Sequence, residues 1–79
     1  MDRQTIFDRL NKVFQTIFDD ENIVVNEKTT SDDIEDWDSL EHINLIVAIE
    51  QEFGIKFSMG EVTSMKNVGD MVNIIISRL

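Results

Sequence analysis

Apolar side chains recur every three or four residues in three separate segments of this chain, and this spacing predicts three amphipathic helices. The first helix is predicted from Asp2 to Phe18, with one face toward the core. The second is predicted from Leu40 to Phe53, and its apolar arc is wide enough to be covered on more than one side. The third is predicted from Val68 to Leu79. Because such helices bury their apolar faces against one another, the chain is expected to be all-α.

Polar capping residues mark the ends of these predicted helices. Asp38 suits the N-cap of the second helix, with Glu41 three residues later, and Gly54 suits the left-handed position after its last turn. A short helix of one or two turns is predicted within Phe57 to Met65, with Ser58 as its cap. The expected fold is therefore a small four-helix bundle, with three main helices and one short helix.

A long loop is predicted between the first and second helices, from Asp19 to Trp37, because helical spacing disappears there. A short strand at Ile23 to Val25 is the competing prediction, but nothing elsewhere in the chain offers it a partner. Loops of this length are uncommon in compact domains and tend to be functional or mobile. With 79 residues, no proline and no repeat, the chain is expected to be one domain, residues 1–79.

The amino-acid inventory excludes several classes of function. There is no cysteine, so the chain has no disulfide and no thiol nucleophile of its own. The longest apolar run, Leu45 to Ile49, is far shorter than the ~18 residues of a membrane span. No secretory signal pattern is visible at the N-terminus, so a cytoplasmic location is expected, with a monomer as the default.

Catalytic and metal-binding patterns are also missing. No nucleotide-binding, zinc-protease or hydrolase motif occurs, and the single histidine, His42, is predicted to be a surface residue rather than a general base. A calcium loop starting at Asp32 would place Ile34 at the third ligand position, one starting at Asp36 would place Leu40 at the fifth, and neither has Gly at the sixth. A specific calcium loop is therefore not expected, which leaves only loose divalent binding by Asp36 and Asp38 as an alternative. The chain is therefore not expected to be an enzyme or to hold a metal.

Negative charge is concentrated in one third of the chain. The formal net charge is −9, which argues against binding to nucleic acid or to an anionic membrane. Between Thr29 and Ile55 there are eight acids and no Lys or Arg. This acidic stretch, residues 29–55, is either a solvated face or a surface that attracts a basic partner.

A serine follows the predicted cap at the centre of the acidic stretch, in the sequence Trp37-Asp38-Ser39-Leu40. The simplest interpretation of Ser39 is a tolerated first-turn residue. In the first turn, however, a hydroxyl is exposed, and an attached phosphate would lie near free backbone N–H groups and the positive end of the helix dipole. No neighbouring base could activate this hydroxyl, so a separate enzyme would have to install such a group.

These residues resemble the phosphopantetheine-carrying acyl carrier proteins. The likeness rests on Asp38-Ser39-Leu40, on the acidic, Leu/Ile-rich helix through Phe53, on the Gly54-Ile55-Lys56-Phe57 that follows, and on the length and helix order of the whole chain. Members of this family carry an acyl group as a thioester on a 4′-phosphopantetheine arm, and a phosphopantetheinyl transferase installs that arm. The resemblance implies attachment at Ser39, with Asp38 and Leu40 as the flanking residues that seat the arm and the partner enzymes.

The resemblance also implies that Glu41, Val47 and Glu50 dock onto basic patches of acyl-loading and acyl-processing enzymes.

Fatty-acid-synthesis members usually have Gly-Ala or similar before the serine motif and an acid where this chain has Asn44; here Ile34-Glu35-Asp36-Trp37 precedes the motif. Trp37 and Asn44 look more like carriers of polyketide, aminoacyl or specialised lipid and polysaccharide pathways. Two alternatives stay open: an aminoacyl or peptidyl carrier of the same fold, and an acidic helical adaptor that works by charge alone.

Overall fold

The computed structural model describes residues 1–79 and contains four α-helices and no strand. Helix α1 spans Arg3–Ile17, α2 spans Ser39–Phe53, α3 spans Met59–Ser64 and α4 spans Val68–Arg78. One 3₁₀ turn, Ser31–Asp33, lies in the long segment between α1 and α2. The prediction of an all-α bundle with a short third helix is confirmed.

Side-chain caps define where each helix begins. In every helix the residue before the first turn accepts a hydrogen bond from the backbone N–H three residues later, which satisfies a donor that the first turn leaves unpaired. Helix α2 ends as predicted, because Gly54 adopts the left-handed φ of 65° and the N–H of Ile55 donates to the carbonyl of Glu50 at 3.1 Å. The four caps are Asp2, Asp38, Ser58 and Asn67.

The core lies between α1, α2 and α4. Phe14 is the largest side chain that is fully buried there. On α4 the buried stripe runs from Val68 to Ile75, whereas Ile76 and Leu79 are 43% and 56% exposed. The apolar spacing of this segment predicts that Ile76 and Leu79 share the face of Val68 and Ile75, and this was wrong: Ile76 lies off the buried stripe, one position after Ile75, and Leu79 lies beyond the last helical residue. The fifteen buried apolar residues are Ile6, Leu10, Val13, Phe14, Phe18, Val25, Leu45, Ile46, Ile49, Phe53, Ile55, Val68, Met71, Val72 and Ile75.

Helix α2 is covered on one side only. Its buried face packs against α1 and into the common core, but Leu40, Ile43 and Val47 are about half exposed or more. The expectation that the wide apolar arc is covered on more than one side was therefore wrong. Helix α3, the element that could cover the second side, has only six residues and is too short to do so.

Polar side chains of α1 hold the long loop against the bundle. Asn11 Oδ1 accepts a hydrogen bond from the backbone N–H of Val25 at 2.7 Å, and Gln15 Nε2 donates to the carbonyl of Ile23 at 2.8 Å. Val25 itself is buried. The sequence pattern places Asn11 and Gln15 on the solvent arc of α1. In the structure their side chains bond to backbone groups of Val25 and Ile23 that a neighbouring strand would otherwise pair, so this segment needs no sheet.

The same loop is joined to the start of α4. The N–H groups of Val68 and Gly69 donate to the carbonyls of Thr29 and Glu27 at 2.9 and 3.0 Å. A Cβ on Gly69 would lie 2.7 Å from the Glu27 carbonyl oxygen. This position therefore requires glycine because two backbone segments approach each other closely.

Gly69→Ala is expected to lower the free energy of unfolding by about 1–3 kcal/mol, the usual cost of overpacking a close contact. Gly60→Ala is the matched control, because a Cβ at Gly60 in α3 meets nothing within 4 Å. That control should be neutral or slightly stabilising. Urea unfolding followed by circular dichroism measures both, and equal stabilities for the two variants would contradict the importance of the contact between loop and α4.

Helix α3 is fixed by Glu61. The backbone N–H of Ser58 donates to Glu61 Oε1 at 2.9 Å, and the guanidinium of Arg78 on α4 binds the same carboxylate. The hydrogen bond from Ser58, assisted by Arg78, holds the pKa of Glu61 below its usual value. A carboxylate with a lowered pKa stabilises the fold at neutral pH, and this stabilisation is lost only as the pH falls through the lowered value. The cap of α3 therefore persists to a lower pH than it would with a glutamate of ordinary pKa, 4.5.

Candidate functional site

Ser39 is the first residue of α2 and is exposed. Its hydroxyl has no hydrogen-bond partner in the chain, and the backbone N–H groups of Ser39 and Leu40 have none either. Immediately before it, Asp38 Oδ1 accepts from the N–H of Glu41 at 2.8 Å and fixes the start of the helix. The structure thus places a free hydroxyl beside two free N–H donors at the positive end of a helix, a setting that favours an attached phosphate.

Trp37 anchors the chain just before this serine. Its ring lies edge-on to Phe14 with centroids 5.2 Å apart and also contacts Phe18 at 6.2 Å. Its indole N–H donates to Nδ1 of His42 at 3.1 Å. Trp37 and His42 are the N′ and N4 positions of α2, a placement that predicts a staple-like contact over the helix start. The contact is present, and it limits the directions from which the chain can enter α2.

A cavity of about 480 Å³ opens beside Ser39. One wall is the start of α2 with His42 and Ile43, and the opposite wall is α3 with Val62 and the connection to α4 with Lys66. Cavities of this size are ordinary for small-molecule sites. We call this space the Ser39 groove; its lining is Thr30, Ser31, Trp37, Asp38, Ser39, His42, Ile43, Val62, Thr63, Met65, Lys66, Asn67 and Met71.

Most of the acidic stretch is left without cationic partners. Arg3 and Arg78 pair with acids outside residues 29–55, and the only acid of this stretch that takes part in an ion pair is Glu52, with Arg9 at 2.6 Å. No three His, Asp or Glu side chains are grouped as a metal-ligand set. The region around the start of α2 is therefore strongly negative and would attract a cationic protein surface.

The residues predicted to dock partners are spread along α2. Leu40 is 70% and Val47 47% exposed. The carboxylate of Glu41 accepts a hydrogen bond from Asn44 Nδ2 at 3.1 Å, within the same exposed surface. Glu50 is engaged within the fold, because its Oε2 accepts from the backbone N–H of Phe57 at 2.8 Å and so ties the end of α2 to the segment before α3.

His42 has a role that the sequence did not reveal. It was predicted to be a surface residue, but it is partly buried and its Nε2 lies 3.0 Å from the carbonyl oxygen of Val62. The spacing from Trp37 to His42 predicts half of this arrangement. The contact with Val62 spans twenty residues, and no periodic pattern indicates it.

No helix in the structure combines the length and apolar content that crossing a bilayer requires.

A family model described as "Phosphopantetheine attachment site" matches residues 8–75 of the chain. The acyl carrier protein of Coprothermobacter proteolyticus is 34% identical over 80 residues, covering 100% of this chain and 96% of that protein. The acyl carrier protein of Petrotoga mobilis is 31% identical, covering 100% and 93%.

Among solved structures, the holo acyl carrier protein of Geobacter metallireducens, determined by solution NMR, superposes with a TM-score of 0.86. It is 42% identical to this chain, over 92% of this chain and 84% of that one. Members of this family are carriers and not catalysts. The match over most of the chain, together with full-length relatives, shows that the chain belongs to the acyl carrier protein family, whose prosthetic group is covalently attached 4′-phosphopantetheine.

Proposed function

We propose that this protein is a discrete acyl carrier that bears 4′-phosphopantetheine on Ser39. A phosphopantetheinyl transferase would form the bond between Ser39 Oγ and the phosphorus of coenzyme A that carries pantetheine. The hydroxyl proton would pass to the transferase, and adenosine 3′,5′-bisphosphate would leave. The thiol that the chain lacks would then be supplied by the arm and would hold an acyl group as a thioester, delivered to enzymes of fatty-acid, polyketide or related biosynthesis.

The position of the Ser39 hydroxyl is the observation that carries this proposal. It is exposed and free of internal hydrogen bonds, and it lies beside a groove. Asp38 caps the helix on one side of it, and the exposed Leu40 on the other side offers an apolar contact for the arm or the transferase. The free N–H groups of the first turn suit the phosphodiester. These features support an attachment point and give no support to a nucleophile activated by the protein itself.

Intact-protein mass spectrometry tests the attachment. The purified chain is incubated with coenzyme A and a broad-specificity transferase, beside an established carrier protein as a positive control. A gain of one phosphopantetheinyl group per chain is expected. No gain on folded protein, while the control is modified, would contradict the proposal and favour the acidic adaptor.

We propose further that partner enzymes dock on α2 through basic patches that face Glu41 and Val47, with Glu50 at the far end of the same surface. Because Glu50 also bonds to Phe57 within the fold, its reversal would disturb the structure. Glu41 has only the exposed contact with Asn44 and is the cleaner probe. Electrostatic contacts of this kind act mostly on the rate of association and its dependence on salt.

Glu41→Lys is therefore expected to slow modification by the transferase at low ionic strength by about tenfold or more, within the 10–10³ range of electrostatic steering. The difference should shrink as salt is added, since the Debye length falls to about 8 Å at 0.15 M. Glu21→Lys makes the same charge change on an exposed loop residue without a hydrogen bond or ion pair, and it serves as the control. Equal rates for the two variants would contradict docking at Glu41.

A further inference from the structure

Both ring nitrogens of His42 are engaged, and each contact fixes the role of its nitrogen. The indole nitrogen of Trp37 can only donate, so Nδ1 of His42 must accept, at 3.1 Å. The carbonyl of Val62 can only accept, so Nε2 must carry a proton and donate, at 3.0 Å. We call this pair of contacts the His42 bridge. It is complete only when the imidazole is neutral and protonated on Nε2.

Protonation of His42 acts on one half of the bridge. With a second proton on Nδ1, the ring would present an N–H to the indole N–H of Trp37, and two donors would face each other. The contact with Val62 is unaffected, because Nε2 is a donor in both states. Protonation of His42 therefore disfavours the observed contact with Trp37 and leaves the contact with Val62 of α3 in place.

The bridge spans three elements at the edge of the Ser39 groove. Trp37 belongs to the loop, His42 to α2 and Val62 to α3, and all three line the groove. Trp37 is also two residues before Ser39 in sequence. Moving the indole would change both the groove wall and the segment that leads into the modified helix start.

Other charged groups at this end of the molecule have other partners or no contact with the imidazole. Asp38 caps α2, and Glu41 accepts from Asn44. Lys66 lines the groove from the connection to α4, and it has no ion pair. On α3, Glu61 is held by Ser58 and Arg78. Neither ring nitrogen of His42 bonds to any of these groups.

We propose that His42 is a proton-sensitive positioning residue: in its neutral form it holds Trp37 over the start of α2, and its protonation releases the indole and loosens the wall beside Ser39. Histidine is the side chain whose charge ordinarily changes between about pH 5 and 8. Because only the neutral imidazole completes both contacts, the bridge is present when His42 is neutral and is broken at Trp37 when His42 is protonated. The lowered pKa of Glu61 keeps its capping contacts with Ser58 in place to a lower pH than an ordinary carboxyl group would.

Nuclear magnetic resonance tests the conformational part of this proposal without any prosthetic group. The His42 ring and the indole N–H of Trp37 are followed from about pH 8 to about pH 5. The indole resonance is expected to shift with the same midpoint as the imidazole and to exchange faster with water at low pH. An indole signal that stays constant while His42 titrates would overturn the proposal.

Two variants distinguish a proton-sensitive role of His42 from a purely structural one. In His42→Gln the amide can accept from Trp37 and donate to Val62 but does not titrate, so the shift of the indole resonance with pH should disappear. In Trp37→Phe the ring packing on Phe14 and Phe18 is kept and the N–H is removed, so protonation of His42 should no longer move the backbone amides of residues 37–39. A pH response that survives in both folded variants would contradict the role of His42.

The consequence for modification rests on the proposed function. The ratio of the modification rates of the parent and His42→Gln, measured at each pH with the same transferase, cancels the pH dependence of the enzyme itself. This ratio is expected to fall by up to about fivefold from pH 8 to pH 5, the effect of losing one ordinary hydrogen bond. A constant ratio would overturn this consequence, whereas absence of modification in both proteins at every pH would refute the attachment at Ser39 instead.

Discussion

Ser39→Ala is expected to abolish phosphopantetheinylation completely while leaving the fold intact. The substitution removes the atom to which the phosphodiester would be joined. The lost hydroxyl makes no hydrogen bond, and alanine is a good helix former at the first position of α2. Intact-protein mass spectrometry after incubation with coenzyme A and transferase should show no mass gain, and circular dichroism should show unchanged helix content.

Ser64→Ala is the matched control, because Ser64 is an exposed helix serine whose hydroxyl bonds only to the carbonyl of Glu61 in its own helix. It should gain one group as the parent does. A mass gain on Ser39→Ala would show that another residue receives the arm. If instead a partner protein bound the parent and Ser39→Ala equally well and neither was ever modified, the acidic adaptor would be the better account of the chain.

The fold was predictable where local signals determine it. The caps Asp38, Ser58 and Asn67 and the terminating Gly54 each act within a few residues of their own helix, so their residue types suffice to place the helix ends. Ser39 belongs to this class, since its exposure follows from being the first residue after a cap. The predicted positions of Asp38 and Ser39 at the start of α2 were therefore confirmed, although the attachment itself stays a prediction.

Contacts between distant residues were not predictable. The loop is held by Asn11 bonding to Val25 and by Gly69 approaching Glu27, and neither pair has a periodic signature. The contact between His42 and Val62 is of the same kind. The number of sides on which α2 is covered also depends on how α3 packs, which a single amphipathic pattern does not specify. This explains why the sequence identified the serine but not the groove beside it.

Phe14→Ala is expected to cause the largest loss of stability of any substitution considered for this protein, about 3–5 kcal/mol, the usual cost of truncating a buried phenylalanine. Phe14 is fully buried, and its ring supports Trp37 edge-on at 5.2 Å, a geometry that adds to the value of the contact. A small domain has a free energy of unfolding of about 5–15 kcal/mol, so the variant should lose a large fraction of its stability and unfold at a clearly lower urea concentration. Urea unfolding monitored by circular dichroism measures the change.

Phe7→Ala provides the comparison on the same helix, because Phe7 is only partly buried and lies under the guanidinium of Arg3 at 5.9 Å. Its loss should be clearly smaller. Since Phe14 supports Trp37 from inside the core, Phe14→Ala should also expose the indole to acrylamide quenching at urea concentrations where the helices are still formed, and Phe7→Ala should not. Equal effects of the two substitutions would mean that the start of α2 does not depend on the aromatic contact beneath Trp37, and the position of Ser39 would then rest on the Asp38 cap alone.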